Sequence, residues 1–325
     1  MQSRAFNYIS IDHRHGIFTK SSRNIEKLKD EVNYYLNIPE SLSDLFPTLV
    51  DYSKDYSAYQ IEYFPFKNLA DTLLTNCLPL EKGKIIISTL MDILEKIHSV
   101  QPTNYIDKTN MEQFYIQKTL DRVELFENDA PSLFIEPVLT INGIPYKNFA
   151  SLKNEFINLM TQLSKKHTHI SAVHGDFCLS NILYSNQDNI IKLIDPRGSF
   201  GDIGIYGDSN YDYAKLLHCL HGRYDYLVNG FYELEELNPS QFNLKTSHPE
   251  LLDQLYYFYI NSLIEKDVSM EFIYLIEASL FLSITPLHYE NKQLQKALYL
   301  TGIIILNDVI NGYYTPRNIV TSTTN

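Results

Sequence analysis

Three polar residues between positions 176 and 195 have the types and the spacing needed to bind a hard cation and to orient a hydroxyl group. Asp176 comes first, Asn181 follows five residues later, and Asp195 ends the next apolar run. An amide oxygen and a carboxylate suit Mg²⁺, which completes its coordination with water and phosphate oxygens. A second carboxylate nearby can accept the proton of a hydroxyl group, as a general base does. These are the groups that phosphoryl transfer requires.

The surrounding sequence predicts a β-hairpin that would bring these groups together. Two β-type runs flank a segment of turn-forming residues: 181–184, 190–195 and, between them, 185–189. With the hairpin centred on Asp188, Asn181 and Asp195 would face each other, with Cβ atoms roughly 4.5–5.5 Å apart. Asp176 would lie in the turn ahead of the first strand, close to the same point. We therefore predict that Asn181 and Asp195 bind Mg²⁺ and that Asp176 is the base.

The elements around this hairpin change in type along the chain. Near the N-terminus short alternating segments predict strands, with one helix among them: 6–11, 16–20, 48–52 and 59–64 for the strands and 24–36 for the helix. Further on the apolar spacing is helical, and one segment has the residues of a loop: 85–97, 111–126 and 148–163 for the helices and 130–146 for the loop. After the hairpin, helices are predicted to the C-terminus. The fold class is therefore α+β, with a small β-rich part followed by a larger, mainly helical part.

The composition is that of a globular protein with an acidic surface. The 325 residues are 44% hydrophobic and carry 27 basic and 39 acidic side chains, which gives a net charge of −12. Duplex nucleic-acid binders need a basic surface to neutralise phosphates, so we expect no nucleic-acid partner. Any phosphate site must therefore be built locally, from a few basic residues, backbone N–H groups and metal.

The cysteines and the apolar segments predict a cytoplasmic protein without a membrane span. Cys77, Cys178 and Cys219 lack the spacing of metal ligands and are typical of reduced thiols in a reducing compartment. The N-terminal residues contain no signal-peptide pattern. The most apolar stretches, 272–287 and 297–306, are short for membrane spans and are expected to be buried helices.

The segment His174-Gly175-Asp176-x-x-x-x-Asn181, followed by Ile194-Asp195-Pro196, resembles the catalytic segment of aminoglycoside phosphotransferases, choline kinases and their relatives. These proteins form the small-molecule branch of the two-lobed protein-kinase-like fold. The resemblance implies that Asp176 is the catalytic base, that Asn181 and Asp195 bind Mg²⁺, and that His174 orients the catalytic loop. It also implies transfer of the γ-phosphoryl group from ATP, or another nucleoside triphosphate, to a hydroxyl group of a small molecule.

The same resemblance implies a division of the chain and a nucleotide site. Residues 1–65 would form the nucleotide-binding lobe, and residues 66–325 the catalytic and acceptor-binding lobe. Lys20 occupies the place of the lysine that contacts nucleotide phosphates, and Glu31 that of its ion-pair partner. Both residues could instead be solvated surface charges. Three other charged residues of the helix compete for these roles: Glu26, Lys27 and Lys29. Glu62 and Phe64 lie in a stretch that resembles the hinge that binds the adenine edge.

One departure from the family concerns the loop that covers the phosphates. That loop is Gly-rich in the family because its backbone N–H groups approach the phosphates, yet residues 1–8 contain no glycine. Either Ser3, Arg4 and Asn7 contact the phosphates instead, or the small lobe is abbreviated. A nucleotide-binding pseudokinase without turnover is the alternative function that this departure favours.

Several polar residues after Asp195 are candidates for binding the acceptor. They are Arg197, Asp202, Asp208, His221 and Arg223. Such a set suits a polyhydroxylated or anionic acceptor, whereas a quaternary amine prefers an aromatic cage. The tyrosines at 256, 257 and 259 could build such a cage or pack between helices, and Arg197 could pair internally with Asp202 or Asp208. Asp212, in a stretch that also resembles the family, is expected to cap a helix or to bind the backbone of the catalytic loop.

Residues 6–35 are similar to a narrower bacterial branch of the family that is associated with capsule or other surface-polysaccharide synthesis. This similarity predicts a sugar, a polyol or a hydroxy acid used in that synthesis as the acceptor.

Overall fold

The structure, a computed structural model of the 325-residue chain, describes residues 7–75, 78–247 and 249–313. The side chains of Asn7 and Asp202 lie outside the described part. The described elements confirm the predicted α+β class, because a β-rich N-terminal region is followed by a mainly helical C-terminal region.

The strands are, in chain order, β1 Asn7–Asp12, β2 Ile17–Ser22, β3 Leu49–Tyr52, β4 Ala58–Glu62, β5 Lys67–Asn68, β6 Val138–Ile141, β7 Ile144–Lys147, β8 Ile170–Ala172, β9 Ile182–Ser185, β10 Ile190–Leu193, β11 Tyr206–Asp208, β12 Tyr232–Asn238 and β13 Gln241–Thr246. The helices are α1 Ile25–Asn37, α2 Leu69–Leu74, α3 Leu80–His98, α4 Thr109–Asp129, α5 Phe149–His167, α6 Ser209–Leu220, α7 Tyr224–Val228, α8 Glu250–Glu265, α9 Met270–Ile284 and α10 Lys292–Ile310.

The described parts of the chain form two compact units. The first draws on the ranges Met1–Cys77, Asp92–Ile106 and Ile170–Asp212, and the second on Leu78–Met91, Asp107–His169 and Tyr213–Asn325. All the motif residues between positions 174 and 212 therefore belong to the first unit, together with the N-terminal strands. The lobe boundary placed at residue 65 stays a prediction.

An antiparallel sheet with the strand order β1-β2-β4-β3 forms the N-terminal part of the first unit. The strand β2 lies between two neighbours, so Lys20 is paired with Ile9 on β1 and with Tyr59 on β4. The turn between β1 and β2 ends at Gly16, whose φ of +66° favours glycine. The strands predicted at 6–11 and 16–20 are confirmed as a hairpin, which places Lys20 on a central strand.

The helix α1 packs on this sheet through one apolar face. Leu28, Val32 and Tyr35 are buried and follow the three-to-four spacing that the sequence shows. The Asn24 side chain caps the helix by accepting a hydrogen bond from the Lys27 N–H at 3.3 Å. The same face carries Glu31, which is therefore buried along with the apolar residues.

The predicted catalytic hairpin is present as β9 and β10, with β5 beside β9. Its register differs by one residue from the expected one, because Ile182 pairs with Leu193. Continued by one step, this register places Asn181 opposite Ile194, and the Ile194 N–H donates to the Asn181 carbonyl at 3.0 Å. The expectation that Asn181 and Asp195 oppose each other in the ladder is therefore wrong.

The second unit contains β-structure that the sequence analysis did not predict. The strands β6 and β7 form a hairpin within the expected loop, around an Asn142-Gly143 turn with φ values of +52° and +78°. Asn-Gly is the pair that favours such a turn, so the signal was readable. The prediction of helices alone after the catalytic hairpin is also wrong, because β12 and β13 pair at residues 232–246. Only Phe242 and Leu244 of β13 are buried, which makes the strand signal short.

Buried helices form the core of the second unit. From Phe272 to Ile284, every residue of α9 is buried, and α10 packs against it. Among the described residues, one stretch, Met270–His288, is long and apolar enough to cross a membrane. Most of it is buried inside the protein, as expected for a core helix.

Candidate active site

Lys20 is buried in the first unit and joins two carboxylates. Its Nζ lies 2.8 Å from Glu31 Oε2 and 3.0 Å from Asp195 Oδ1. The Lys20 and Glu31 side chains are 2% and 0% exposed, whereas that of Asp195 is 31% exposed. The Tyr59 hydroxyl adds a hydrogen bond of 2.9 Å to Glu31 Oε2. The structure thus brings together the two residues that the sequence analysis paired, and it adds Asp195 as the second partner of the lysine.

The charges of this cluster support one another. Burial alone would lower the pKa of Lys20, but the negative charges of Asp195 and Glu31 raise that pKa above its ordinary value. Burial likewise works against ionisation of Asp195, yet the positive charges of Lys20 and Lys27 hold the pKa of this carboxyl below its ordinary value. At neutral pH the lysine is therefore protonated and Asp195 is ionised.

Asp195 has a left-handed backbone, with a φ of +53°. Few residues other than glycine adopt this conformation, although aspartate and asparagine do so more readily than most. Asp195 lies two residues beyond the end of β10. In this conformation its side chain leaves the direction of the strand and reaches Lys20. Backbone strain of this kind is concentrated at functional sites.

Gly198 lies three residues after Asp195 and runs against the backbone of α1. Its φ is +80°, and a Cβ added there would lie 2.2 Å from the Asp30 carbonyl oxygen. The chain after Asp195 therefore passes directly against the helix that carries Glu31. Only glycine fits this approach without moving one of the two backbones.

Asn181 holds Asp176 by two hydrogen bonds from one amide group. Its Nδ2 donates to Asp176 Oδ2 and to the Asp176 carbonyl oxygen, both at 3.0 Å. The negative charge of Asp176 acts on the Asp195 carboxyl, where it opposes ionisation, so the two carboxylates are near each other. The amide nitrogen of Asn181 thus orients Asp176, and its amide oxygen is left as an acceptor or a metal ligand.

His174 fixes the catalytic loop from inside the protein. Its Nε2 lies 3.1 Å from the Ile194 carbonyl oxygen, and its Nδ1 accepts the Asp176 N–H at 3.2 Å. These contacts require a neutral ring protonated on Nε2. Burial lowers the pKa of His174, although the charges of Asp212 and Asp176 oppose this. The ring is fully buried, so His174 positions the backbone of Asp176 from the interior of the protein.

Asp212, near the start of α6, holds the backbone of the same loop. Its Oδ2 accepts the His174 N–H at 2.9 Å, and its Oδ1 accepts the Gly175 N–H at 2.7 Å. Of the two expected roles, the structure therefore shows binding to the catalytic-loop backbone. His98 Nε2 lies 3.2 Å from Asp212 Oδ2. This histidine was not found from the sequence, because it lies 114 residues away on another helix and in no motif.

Comparison with known proteins gives matches among solved structures. No protein-family model and no curated protein sequence matches the chain. Choline kinase LicA from Streptococcus pneumoniae superposes with a TM-score of 0.54 and 16% identity, over 92% of this chain and 89% of its own. The ADP-bound aminoglycoside phosphotransferase APH(2'')-Ib gives a TM-score of 0.54 and 14% identity, over 96% and 93% of the two chains. The GDP complex of aminoglycoside 2'-phosphotransferase-IIIa gives a TM-score of 0.55 and 14% identity, over 96% of this chain and 91% of its own.

The chain has the kinase-like fold of these phosphotransferases. The fold class predicted from the sequence is thereby confirmed. At such low identity the similarity establishes the fold, and the roles of individual residues depend on the geometry of the site itself.

The residues predicted to bind the adenine end lie at and beyond the end of β4. The Glu62 N–H donates to the Thr48 carbonyl oxygen at 2.9 Å, and Glu62 Oε2 lies 3.3 Å from the Thr48 hydroxyl. The ring of Phe64 contacts Phe66, with centroids 5.4 Å apart, and Lys192 Nζ lies 4.8 Å from the Phe64 ring. Their role in a kinase-like fold stays a prediction. Ser3, Arg4 and Cys77 lie outside the described residues, as does the side chain of Asn7.

Two acceptor candidates of the first unit, Arg197 and Asp208, contact neighbouring residues of the chain. Arg197 Nε donates to the Ser199 carbonyl at 3.0 Å, and its guanidinium lies 5.0 Å from the Phe200 ring centre. Asp208 is fully buried and accepts hydrogen bonds from the N–H and the amide group of Asn210. This environment indicates a local structural role for Asp208. The side chain of Asp202 lies outside the described part of the chain.

The other two acceptor candidates belong to the second unit. His221 Nδ1 lies 2.9 Å from Glu277 Oε2, and its ring stacks on Tyr256 at 5.1 Å. Arg223 Nη1 donates to the Ser247 carbonyl at 2.8 Å, and its guanidinium also pairs with Asp253. Each candidate is therefore held by partners of its own unit.

Proposed function

We propose that this chain is a small-molecule kinase, which transfers the γ-phosphoryl group of ATP or another nucleoside triphosphate to a hydroxyl group. The observation that carries the proposal is the contact of buried Lys20 with both Glu31 and Asp195. Buried lysines are rare unless they are paired, and perturbed charges of this kind are concentrated at functional sites. The kinase-like fold, in which similar structures contain ADP or GDP, supports a nucleotide as the phosphoryl donor.

In this proposal Asp176 accepts the proton of the acceptor hydroxyl. The hydroxyl oxygen forms a bond to the γ-phosphorus while the bond to the departing nucleoside diphosphate breaks. Asn181 supports this step, because its amide group fixes the Asp176 carboxylate at 3.0 Å. His174 and Asp212 hold the backbone of the loop, so the base is oriented before the substrate binds.

Mg²⁺ fits the oxygen donors of Asn181 and Asp195. Within the described residues no group of three His, Cys, Asp or Glu side chains suits a metal ion. The proposed ligands are instead one amide and one carboxylate. Mg²⁺ is commonly bound by one or two protein oxygens together with nucleotide phosphates and water. When bound, the ion would neutralise charge on the phosphates.

For the acceptor we propose a sugar, a polyol or a hydroxy acid used in surface-polysaccharide synthesis in the cytoplasm. The support is the similarity of residues 6–35 to a branch associated with that synthesis. Arg197 of the first unit is a candidate for binding such a molecule, and His221 and Arg223 are the candidates of the second unit. Glu62 and Phe64 remain the proposed contacts of the nucleotide base, in an N-terminal lobe that ends near residue 65.

A transfer assay tests this function directly. The protein is incubated with Mg²⁺ and ATP or GTP labelled on the γ-phosphate, against sugars, polyols, hydroxy acids, choline and an aminoglycoside. We expect a labelled, phosphorylated acceptor from the sugar, polyol or hydroxy-acid group. Transfer to choline or to the aminoglycoside would keep the kinase and change the acceptor class. Nucleotide binding without transfer to any acceptor would favour the pseudokinase.

Asp176→Asn separates the base from the binding groups. We expect this variant to lose transfer by at least about a hundredfold, the lower end for general-base catalysis, while Mg–ATP still raises its melting temperature. Asn181→Ala and Asp195→Asn should instead lose the Mg²⁺-dependent part of that rise. Asp188→Asn, in the exposed turn of the same hairpin, is the matched control and should keep both properties.

A further inference from the structure

Lys27 reaches the buried cluster from the first turn of α1. Its Nζ lies 3.3 Å from Glu31 Oε1, the carboxylate oxygen that Lys20 and Tyr59 do not contact. The Lys27 side chain is still 35% exposed. Its charge also extends to Asp195, where it is the second strongest positive charge after that of Lys20. Lys27 thus joins the cluster from the solvent side.

Stabilising the helix is by itself a weak reason for this contact. A lysine four residues before a glutamate is the less favourable order for a helical ion pair, and such pairs contribute about 0.2–0.5 kcal/mol. Lys20 already gives Glu31 a positive partner at 2.8 Å. Lys20 is shared between Glu31 and Asp195, so Lys27 brings a second ammonium group to these two carboxylates, and it is the partly exposed one of the two.

The charges around the site show where this extra charge is useful. Lys20 and Lys27 bring two positive charges, and Glu31, Asp176 and Asp195 bring three negative ones. These five groups therefore carry a net negative charge of one, which opposes the binding of a triphosphate in the absence of a divalent cation. Without Lys27 the net charge would be minus two, and the repulsion of the phosphates would be greater.

We infer that Lys27 is a second phosphate-binding cation, which contacts the β- or γ-phosphate of the nucleotide beside Lys20. The inference rests on the proposed kinase function and adds a residue to its donor site. An ammonium group has three N–H donors, so contact with Glu31 is compatible with donation to phosphate oxygens. Lys27 thereby supplies, from α1, a part of the phosphate contact that a Gly-rich loop makes with backbone N–H groups.

Nucleotides of different phosphate number test this inference by calorimetric titration. The proteins are the wild type, Lys27→Met, Lys27→Arg and Lys29→Met, and the ligands are ATP, AMP and adenosine with Mg²⁺. We expect Lys27→Met to weaken ATP binding about tenfold, which corresponds to about 1.4 kcal/mol, and to change adenosine binding less than twofold. Lys27→Arg should restore most of the ATP affinity because it keeps the charge.

Lys29→Met is the matched control, because Lys29 is exposed on the same helix. It should bind all three ligands as the wild type does. The melting temperature without ligand is measured for each variant, so that a loss of folding is separated from a loss of phosphate contact. An equal loss of ATP and adenosine affinity in Lys27→Met, or no loss of either, would overturn the inference.

The failure of this inference differs from the failure of the proposed function. If the wild type binds ATP and transfers phosphate while Lys27→Met binds ATP equally well, the kinase stands and Lys27 has no phosphate role. If the wild type binds neither ATP nor adenosine, the proposed function fails, and the inference fails with it. A phosphate-dependent loss in Lys27→Met without transfer in the wild type would support the site in a pseudokinase.

Discussion

Each compact unit contains a completely buried glutamate, and the two have different partners. In the first unit Glu31 faces the ammonium group of Lys20 at 2.8 Å. In the second unit Glu277 faces the imidazole of His221 at 2.9 Å and accepts the Gly222 N–H at 3.0 Å. Glu31 therefore depends on a fixed positive charge, whereas Glu277 depends on a histidine and a backbone amide.

The partners also differ in what they connect. Lys20 continues from Glu31 to the partly exposed Asp195, so the first cluster extends to groups that a ligand can reach. In the second cluster aromatic rings flank the histidine, because Tyr256 stacks on His221 and Tyr274 meets the same ring edge-on, both at 5.1 Å. The first cluster is the more accessible of the two, since the Asp195 side chain is 31% exposed and the His221 side chain 11%.

The largest effect is expected from Lys20→Met. This change leaves two neighbouring carboxylates without their common cation, and breaking a buried pair costs about 3–5 kcal/mol. We expect a loss of about 3 kcal/mol in the free energy of unfolding, near the low end because Lys27 remains beside Glu31. Urea unfolding measures this, and phosphate transfer should also be lost. A variant as stable as Lys29→Met would show that the first cluster contributes no stability.

A smaller effect is expected from replacing the two glutamates, Glu31→Gln and Glu277→Gln. Each keeps its shape and loses one charge, so we expect a decrease of about 1–3 kcal/mol in unfolding free energy, as for a buried polar group that loses its partner. The variants should separate in ligand binding. Glu31→Gln should lose most of the Mg–ATP-dependent rise in melting temperature, and Glu277→Gln should keep it. Equal losses would contradict the functional distinction between the clusters.

The smallest effect concerns pH and the loop beside the first cluster. Since burial lowers the pKa of His174, the folded protein holds this ring neutral while the unfolded chain binds a proton below pH ~6.5. The stabilisation from neutral His174 is thus present above that pH and decreases as the pH falls toward the folded value. In His174→Gln this part of the acid sensitivity should be absent. Urea titrations at pH 7.5 and 5.5 compare the two proteins, and parallel losses would contradict the assignment.

The catalytic segment was readable from the sequence because its residues are local. His174, Asp176, Asn181 and Asp195 lie within one loop and one hairpin, and short turn-forming segments carry strong signals. The register was misjudged by one residue, because Ser185 pairs with Ile190 and the hairpin is therefore centred between Gln187 and Asp188, not on Asp188. The left-handed backbone of Asp195, beyond the paired residues, was not predicted. A periodic pattern does not contain such a conformation.

The parts that escaped prediction depend on distant contacts. His98 meets Asp212 across 114 residues, and neither its neighbours nor its spacing mark it. Lys27 was considered only as a competitor of the residues chosen for the nucleotide side, since the sequence does not tell how far its side chain reaches. The strands β12 and β13 were missed because few of their residues are apolar, which leaves the two-residue period weak.

Because Gly198 has no side chain, the segment after Asp195 and the helix α1 are held in close contact. Because the chain after Asp195 runs against the Asp30 carbonyl with no clearance for even a methyl group, α1 and this segment are braced against each other. The segment carries one partner of Lys20, and the helix carries the other. A shift of the helix would therefore displace both carboxylate partners of Lys20 together.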